Sequence, residues 1–177
     1  DLTYKPFMSS EILEALDDDQ INVYRDVYRQ LIAPVMKKET PGMVGISIVQ
    51  QKQIIPTFTF SKMIKEQFPN VHITIGGNIV TRIREELKTQ VKLFGYIDSA
   101  ILYEGENAYL RLVEAVEKGK SLVGLPNLIF RDDKGIHANK DVCSEDLSKL
   151  PPPDFDGLAL DKYFVPKLIL PFLATRG

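Results

Sequence analysis

Apolar residues recur along this chain of 177 residues in two alternating patterns. Three short segments are rich in apolar and β-branched residues, at 43–49, 71–77 and 96–106. Strands that helices cover on both faces have this composition, because neither face meets water. Between these segments, apolar residues return at helical spacing, as at Phe60 and Ile64. The alternation predicts an α/β fold, in which a parallel sheet carries helices on both faces.

The pattern changes after the third of these helices. Two short apolar runs flank Asp132 and Gly135, and the turn residues between them predict a β-hairpin. The segment that follows is rich in proline and has no regular period. We therefore expect a first domain at residues 1–146, and an irregular linker with the first strand of a further domain at 147–177. The apolar run "LPFLATRG" at 170–177 would be that strand.

Composition and charge exclude several classes of protein. The formal net charge is −2, so no strong field would attract nucleic acid or an acidic membrane. No apolar run approaches the roughly 20 residues of a bilayer-spanning helix, and residues 1–7 lack a signal-peptide pattern. The single cysteine, Cys143, can form neither an internal disulfide nor a cysteine-rich metal site. These features favour a reduced, cytoplasmic location.

The turns that follow the three strands are the candidate sites, because ligands of open parallel sheets lie beyond the carboxyl ends of the strands. Ser47 begins the first turn, which offers a hydroxyl and amides to a ligand or is simply a polar loop. Gly76 and Gly77 in the second turn allow close approach of the backbone to a ligand, and they also suit a tight turn. In the third turn, Glu104 and Glu106 could bind a ligand or stabilise a helix N-terminus.

The residue types indicate binding rather than catalysis. No nucleophile–base pair, carboxylate pair with distinct roles or cluster of metal ligands is evident, and neither of two glycine-rich nucleotide motifs occurs. His72 lies in an apolar alternating run, which favours a strand residue over a ligand. We therefore predict no catalytic residue and no metal site in this chain.

The order of several weak motifs is more informative than any one of them. The chain contains "VGIS", "MIKEQFP", "ITIGGNI" and "IDSAILYEGE", followed by "GLPNLIFRDDKGI", "LSKLPPPDFDGLALDKY" and "LPFLATRG". In this order they resemble the N-terminal part of cobalamin-dependent radical S-adenosylmethionine (radical SAM) enzymes. The resemblance covers roughly residues 43–177. It implies a Rossmann-like, flavodoxin-like cobalamin-binding domain that precedes a partial barrel.

The resemblance implies cobalamin as the small-molecule cofactor, bound at the three turns. The residues that match the approaching loops are Ser47, Ile48, Val49, Gln50, Gly76, Gly77, Glu104, Gly105 and Glu106. Backbone amides and small side chains would meet the corrin amides and the nucleotide tail, and the cofactor would supply the reaction chemistry. The chain lacks D-x-H-x-x-G, the motif that supplies a histidine to cobalt in other cobalamin domains.

The resemblance also implies parts of a parent enzyme that this chain does not contain. In the family, a strand similar to 174–177 leads into C-x-x-x-C-x-x-C, which holds the 4Fe–4S cluster that cleaves S-adenosylmethionine. The cluster and S-adenosylmethionine would therefore belong to the parent protein only, and the partner of this domain would be the barrel of the same polypeptide. Asp1 and Leu2 resemble the end of the family's second strand, so we expect the first two strands to be missing.

Two other functions are compatible with the sequence. A cofactor-free domain could serve as a cap that packs on the barrel, which the missing strands and the absent cobalt ligand favour. A response-regulator-like or flavin-binding domain is the third interpretation. A response regulator needs an acidic cluster, and Glu104 is the only acid directly at a strand exit among the three turns, which argues against phosphoryl transfer. The leading interpretation is the cobalamin-binding domain of a radical SAM enzyme, a methyltransferase or a related radical enzyme.

Overall fold

A five-stranded sheet forms the centre of the protein. The structure is a computed structural model that describes residues 4–141, 145–162 and 167. The strands, which are hydrogen-bonded in the order of the chain, are β1 (Met43–Ser47), β2 (His72–Gly76), β3 (Ser99–Ile101), β4 (Leu128–Asp132) and β5 (Gly135–Ala138). β1, β2 and β3 are parallel, and β4 and β5 form a hairpin that pairs antiparallel with β3. The fold is therefore α/β and Rossmann-like, with the hairpin as an extension of the sheet.

Helices precede the first strand and connect the parallel strands. They are α1 (Ser9–Asp17), α2 (Tyr24–Val27), α3 (Ala33–Glu39), α4 (Ile54–Gln67), α5 (Asn78–Arg82), α6 (Arg84–Leu87) and α7 (Glu106–Glu117). Short 3-10 turns lie at Gln51–Gln53, Leu93–Gly95, Leu147–Lys149 and Leu160–Lys162. The order of strands and helices is the one that the hydrophobic pattern predicts.

A π-helical turn, Tyr28–Ile32, joins α2 to α3. The side chain of Tyr28 is fully buried, and its hydroxyl donates to the carbonyl of Met63 at 3.3 Å. A π turn holds more residues than an α turn, so it changes which residues of the next helix face inward. Met36 faces the core, while Val35 is exposed. The π turn therefore sets the buried face of α3.

Each face of the sheet has its own hydrophobic cluster, because successive residues of a strand point to opposite faces. On one face, Ala100 and Ile129 join the larger cluster, which includes residues of α1, α4 and α5. On the other face, Ile101 and Leu128 pack with Leu112 of α7. The prediction of helices on both faces is confirmed.

Small and polar residues occupy the middle of the face that α7 covers. Gly45, Thr74 and Ser99 lie side by side in the register of β1, β2 and β3. Thr74 and Ser99 are buried, and the Ser99 hydroxyl oxygen is 2.8 Å from Nε2 of His72. His72 is thus a strand residue, as the sequence indicated. Because Ser99 is fully buried, the pair is a structural contact and not an accessible nucleophile with its base.

One helix prediction differs in detail from the structure. The single helix expected between β2 and β3 is divided into α5 and α6, since Ile83 has φ −100° and ψ 19°, outside the helical region. Pro56 is the third residue of α4, where its missing N–H is still harmless. The predicted hairpin is confirmed, with Asp133 and Lys134 at its turn.

The chain divides into two compact units, Asp1–Glu145 and Asp146–Gly177. In the described part of the second unit, the only regular structure consists of the 3-10 turns Leu147–Lys149 and Leu160–Lys162. The predicted strand at 170–177 and Cys143 lie outside the described residues. Within the described ranges, no helix combines the length and the apolar character that crossing a membrane requires.

The environment of His72 favours the neutral imidazole. Burial lowers the pKa of His72, the carboxylate of Asp98 opposes that effect, and the ammonium group of Lys65 adds to it. Asp98 and Lys65 are themselves paired at 2.6 Å. Because the unfolded chain binds a proton at His72 more readily than the folded chain, acidification must favour unfolding.

We expect the free energy of unfolding to fall as pH drops below about 6.5, the ordinary pKa of histidine. His72→Gln keeps a hydrogen-bonding group near Ser99 but does not titrate, so its stability should change less between about pH 7.5 and about pH 5. Urea unfolding at several pH values measures both slopes. Carboxylates such as Asp18, whose pKa is lowered by its hydrogen bond from Tyr4, affect the free energy of unfolding only at lower pH. Equal slopes for the two proteins would contradict the assignment to His72.

Candidate functional site

The carboxyl ends of β1, β2 and β3 meet at one end of the sheet. Ser47 and Gly76 are register partners at the ends of β1 and β2. A Cβ atom added to Gly76 would lie 3.7 Å from the carbonyl oxygen of Ile101, and one added to Gly105 would lie 3.5 Å from Cγ2 of the same residue. The structure thus brings residues of all three predicted turns together. We call Ser47, Gly76, Gly77 and Gly105 the strand-exit ledge.

The first turn is closed by its own side chains. Ile48 is buried, with 1% of its surface exposed, so its side chain belongs to the core. The backbone N–H groups of Val49 and Gln50 donate to Oε1 of Gln53, at 2.7 and 2.9 Å. Gln50 in turn completes a reciprocal cap with Gln53 at the start of the 3-10 turn. Of the four residues predicted in this turn, Ser47 is the one that lies on the ledge with an exposed hydroxyl-bearing side chain.

Gly77 is required by the backbone at the second turn. Its φ of +98° lies in a region that other L-residues rarely adopt, and an added Cβ would be 2.5 Å from the carbonyl oxygen of Ile48. The amide of Ile48 donates to the Gly76 carbonyl at 2.7 Å, and its carbonyl accepts from the amide of Ile79 at 3.3 Å. The first and second turns are therefore held together by backbone hydrogen bonds. A Cβ atom added to Gly76 would be in ordinary van der Waals contact with Ile101, without a clash.

The third turn leads into α7 and is occupied by carboxylates. Oε2 of Glu104 accepts a hydrogen bond from the amide of Glu145 at 2.5 Å. Glu145 in turn accepts from Asn107, through the Asn107 amide at 3.3 Å and through its side chain. Glu106 is the exposed first residue of α7, where a negative charge is favoured by the helix dipole. Of the three residues predicted in this turn, Gly105 is the one that belongs to the ledge, because it has no side chain to cover the backbone.

Sequence reasoning missed Thr81 and Tyr103, which connect the second turn to the third. Tyr103 has a positive φ of 57°, an uncommon conformation for an aromatic residue. Its amide donates to Oγ1 of Thr81 at 2.7 Å, and the guanidinium of Arg84 lies 5.9 Å from the centre of its ring. Thr81 and Arg84 lie on short helices directly after Gly77. No local pattern signals this link, because its partners are 22 residues apart.

The ledge offers neutral groups and backbone rather than reactive side chains. Its members are one serine and three glycines, and the acids beside it are already hydrogen-bonded or at a helix N-terminus. Within the part of the chain that the structure describes, no group of three or more histidine, cysteine, aspartate or glutamate side chains could hold a metal ion. Such a surface suits a ligand that approaches the backbone closely.

No family model matches the chain. It is 29% identical over 133 residues to an uncharacterized methyltransferase of Pyrococcus horikoshii. The match covers 75% of this chain and 28% of the methyltransferase. The chain is therefore similar, over three quarters of its length, to a part of a methyltransferase, and it spans between a quarter and a third of that relative.

Two solved structures of TsrM from Kitasatospora setae, a radical S-adenosylmethionine methyltransferase, also match. One, with tryptophan substrate and an S-adenosylmethionine analogue bound, matches 73% of this chain and 26% of its own, with a TM-score of 0.48 and 18% identity. The other, with cobalamin and a 4Fe–4S cluster bound, matches 81% of this chain and 27% of its own, with a TM-score of 0.49 and 18% identity. This chain thus spans about a quarter of the length of TsrM.

Replacing Gly77 by alanine should destabilise the fold by about 2 kcal/mol or more, because the new Cβ both strains the backbone and meets the Ile48 carbonyl. Gly119→Ala is the matched control, since Gly119 also has a positive φ but nothing lies within 4 Å of its Cβ position. Denaturant unfolding of the two variants compares a glycine in a tight contact with a positive-φ glycine in open space. Equal losses of stability would mean that the contact with Ile48 is not tight.

Thr81→Val should weaken the connection between the second and third turns, because Tyr103 loses the acceptor for its amide. The expected loss is about 1 kcal/mol. Hydrogen exchange at the Tyr103 amide should accelerate in this variant, and Thr81→Ser, which keeps the hydroxyl, should restore protection. Unchanged exchange in Thr81→Val would show that another group satisfies the amide.

Proposed function

We propose that this chain is a domain of a methyltransferase and that it binds cobalamin at the strand-exit ledge. The observation that carries the proposal is the ledge itself, where glycine backbone lies at the exits of two neighbouring parallel strands. Ligands of open α/β sheets bind at this end. The reaction, the substrate and the rest of the enzyme are parts of the proposal that depend on residues beyond this chain.

Two likenesses, both read from this sequence, support the proposal. The first is the alignment with the Pyrococcus horikoshii protein, which is named a methyltransferase. The second is the order of motifs from "VGIS" to "LPFLATRG", which resembles cobalamin-dependent radical SAM enzymes. From that resemblance we propose that residues 147–177 lead to a radical SAM barrel of the same polypeptide in the cytoplasm. The 4Fe–4S cluster and S-adenosylmethionine would then bind to that barrel and not to this chain.

The residues of the ledge fit cobalamin in shape and in chemistry. Gly76 has no side chain, so a ligand can come closer to the backbone there than it could at any other residue type. The Ser47 hydroxyl is exposed and neutral, which suits the amide groups at the rim of a corrin ring. Both histidines of the chain lie away from the ledge, His72 at the opposite end of β2 and His137 in β5. The fit is therefore to the periphery of the cofactor rather than to its cobalt.

In this proposal the protein binds and orients the cofactor. The cofactor would be held by the ledge, that is by Ser47, Gly76, Gly77 and Gly105. The buried Ile48 and the hydrogen bond between Tyr103 and Thr81 would keep the turns of the ledge in place. Cobalamin, when bound, supplies a cobalt centre that can carry a methyl group. Val49, Gln50, Glu104 and Glu106 frame the ledge and, through their existing hydrogen bonds or helix position, keep its shape.

A cofactor-free cap is the second candidate function. The observation that favours it is the internal satisfaction of the turns, since two amides of the first turn donate to Gln53 and Glu104 accepts from the Glu145 amide. Groups that already have partners gain little from a ligand. In that case the ledge would pack against protein and would not retain a corrin.

Incubation of the 177-residue chain with hydroxocobalamin, followed by desalting and a visible spectrum, tests the proposal. The chain should retain corrin absorbance. Gly76→Leu should weaken binding by at least about tenfold, because its side chain would project into the space that the ring occupies. Gly42→Leu is the matched control, since nothing lies within 4 Å of its Cβ position and it precedes β1 at the opposite end of the sheet.

Circular dichroism and thermal unfolding must match between the two leucine variants, so that the comparison reports on binding. If the unmodified chain retains no corrin, the cobalamin proposal is wrong for this chain and the cap is favoured. If both leucine variants bind as well as the unmodified chain, the ledge is not the site.

A further inference from the structure

The β-hairpin returns the chain to the end of the sheet that carries the ledge. β4 is antiparallel to β3, and Leu128 at its start is the register partner of Ile101 at the end of β3. β5 runs back beside β4, so it ends where β4 begins, and the amide of Asn139 donates to the carbonyl of Leu128 at 2.9 Å. The chain that leaves β5 therefore starts at the exit of β3, next to the third turn.

Glu145 contacts the third turn on both sides of Gly105. Its amide donates to Oε2 of Glu104 at 2.5 Å. Its carboxylate accepts from the amide of Asn107 at 3.3 Å and from the side chain of the same asparagine. We call these contacts of Glu145 with Glu104 and Asn107 the Glu145 clamp. One residue thus binds the turn both before and after the glycine of the ledge.

The clamp supplies a helix cap that the turn itself lacks. α7 begins at Glu106, and its N-cap residue is Gly105, which has no side chain to cap the helix. The first amides of a helix have no partner within the helix, and the helix dipole favours a carboxylate beside them. Glu145 provides that carboxylate to the amide of Asn107 from 38 residues further along the chain. The path of the backbone through Gly105 therefore depends on Glu145.

A distant cap leaves the ledge uncovered. Serine, threonine, aspartate or asparagine at position 105 would cap α7 locally, but each would also place a side chain on the ledge. Glycine avoids that, although it gives the backbone more conformations to choose from. The clamp restricts those conformations without adding atoms to the surface that a ligand would meet. This division of roles is what a ligand site at the third turn requires.

Asp141 attaches the same part of the chain to the third turn at a second place. The hydroxyl of Tyr103 donates to Oδ2 of Asp141 at 3.1 Å. The amide of Tyr103 also donates to Oγ1 of Thr81, so the second turn belongs to the same network. A ligand that lies across Gly76 and Gly105 would therefore contact two turns that this network holds together.

We propose that Glu145 is a positioning residue of the ledge, and that the Glu145 clamp and the bound ligand stabilise each other. The inference rests on the proposed function, because the ligand in question is cobalamin. A turn that is already ordered costs less to bind than one that becomes ordered on binding. By linkage, the ligand must then stabilise the clamp by the same factor by which the clamp raises its affinity. Since Glu145 is the last residue of the first compact unit, the ligand would fix the point where the chain leaves that unit.

Titration of the full 177-residue chain and its variants with hydroxocobalamin tests the proposal. Glu145→Ala keeps the amide but removes the carboxylate, so it should weaken binding by roughly five- to tenfold. Glu145→Gln keeps one of the two acceptor oxygens and is the matched control, with a loss below about threefold. Asn107→Ala should cost about as much as Glu145→Ala. The double variant should lose little more, because both changes break the same contact.

Hydrogen exchange supplies a readout that a purely structural role would not change. In the unmodified chain, hydroxocobalamin should slow exchange at the amide of Glu145. The amide of Arg131, which donates to the carbonyl of Asp98 at the opposite end of the sheet, should exchange at an unchanged rate. Asn107→Ala should reduce the slowing at Glu145, because the clamp then has one partner fewer.

The outcomes separate this inference from the proposed function. If Glu145→Ala binds as tightly as the unmodified chain, or if the cofactor leaves exchange at Glu145 unchanged, the coupling is wrong while cobalamin binding stands. If the unmodified chain retains no corrin, the proposed function is wrong and the coupling fails with it. Circular dichroism checks that each variant is folded. If Glu145→Ala is not folded, Asn107→Ala and the exchange of the unmodified chain decide the question.

Discussion

The contact between Ile48 and the Gly76–Gly77 pair is the constraint on which the candidate site depends. Two backbone hydrogen bonds and one very close approach bring the exit of β1 against the exit of β2. Any side chain at Gly77 would separate the two turns, and the surface above them would no longer be continuous. Ile48 also contributes a buried side chain to the core, so the same short stretch of backbone takes part in both the core and the ledge. The arrangement of the ledge therefore follows from packing.

Much of the fold could be predicted because its signals are local. The strands at Met43–Ser47 and His72–Gly76 are marked by β-branched residues, and α7 by apolar residues at helical spacing with Lys118 and Gly119 at its end. The hairpin is marked by its turn residues. Its pairing with β3 was not predicted, because a choice of neighbour depends on contacts between residues far apart in the chain. The division at Ile83 was also missed, since a single residue outside helical geometry leaves the apolar spacing intact.

The sequence predicted which three turns follow the parallel strands, but not how the polar groups of those turns are bonded. The rule that ligands bind beyond the carboxyl ends of parallel strands placed the search at Ser47, Gly76 and Gly105. That rule cannot tell which amides are already bonded, and the role of Gln53 as acceptor for two of them depends on a side-chain conformation. The approach of Glu145 to Glu104 spans 41 residues, so no spacing in the sequence reports it. Hydrogen bonds of this kind are visible only once the chain is folded.

The π turn between α2 and α3 constrains how this segment can tolerate changes in length. In an α-helix each residue advances the chain by about 100° around the axis. Deleting one residue within Tyr28–Ile32 would regularise the local hydrogen bonding, yet it would rotate all of α3 relative to α2. Met36 would leave the core, and a neighbouring residue would enter it in its place. The segment therefore has a fixed length set by side-chain orientation, even though a shorter helix would have the more regular backbone.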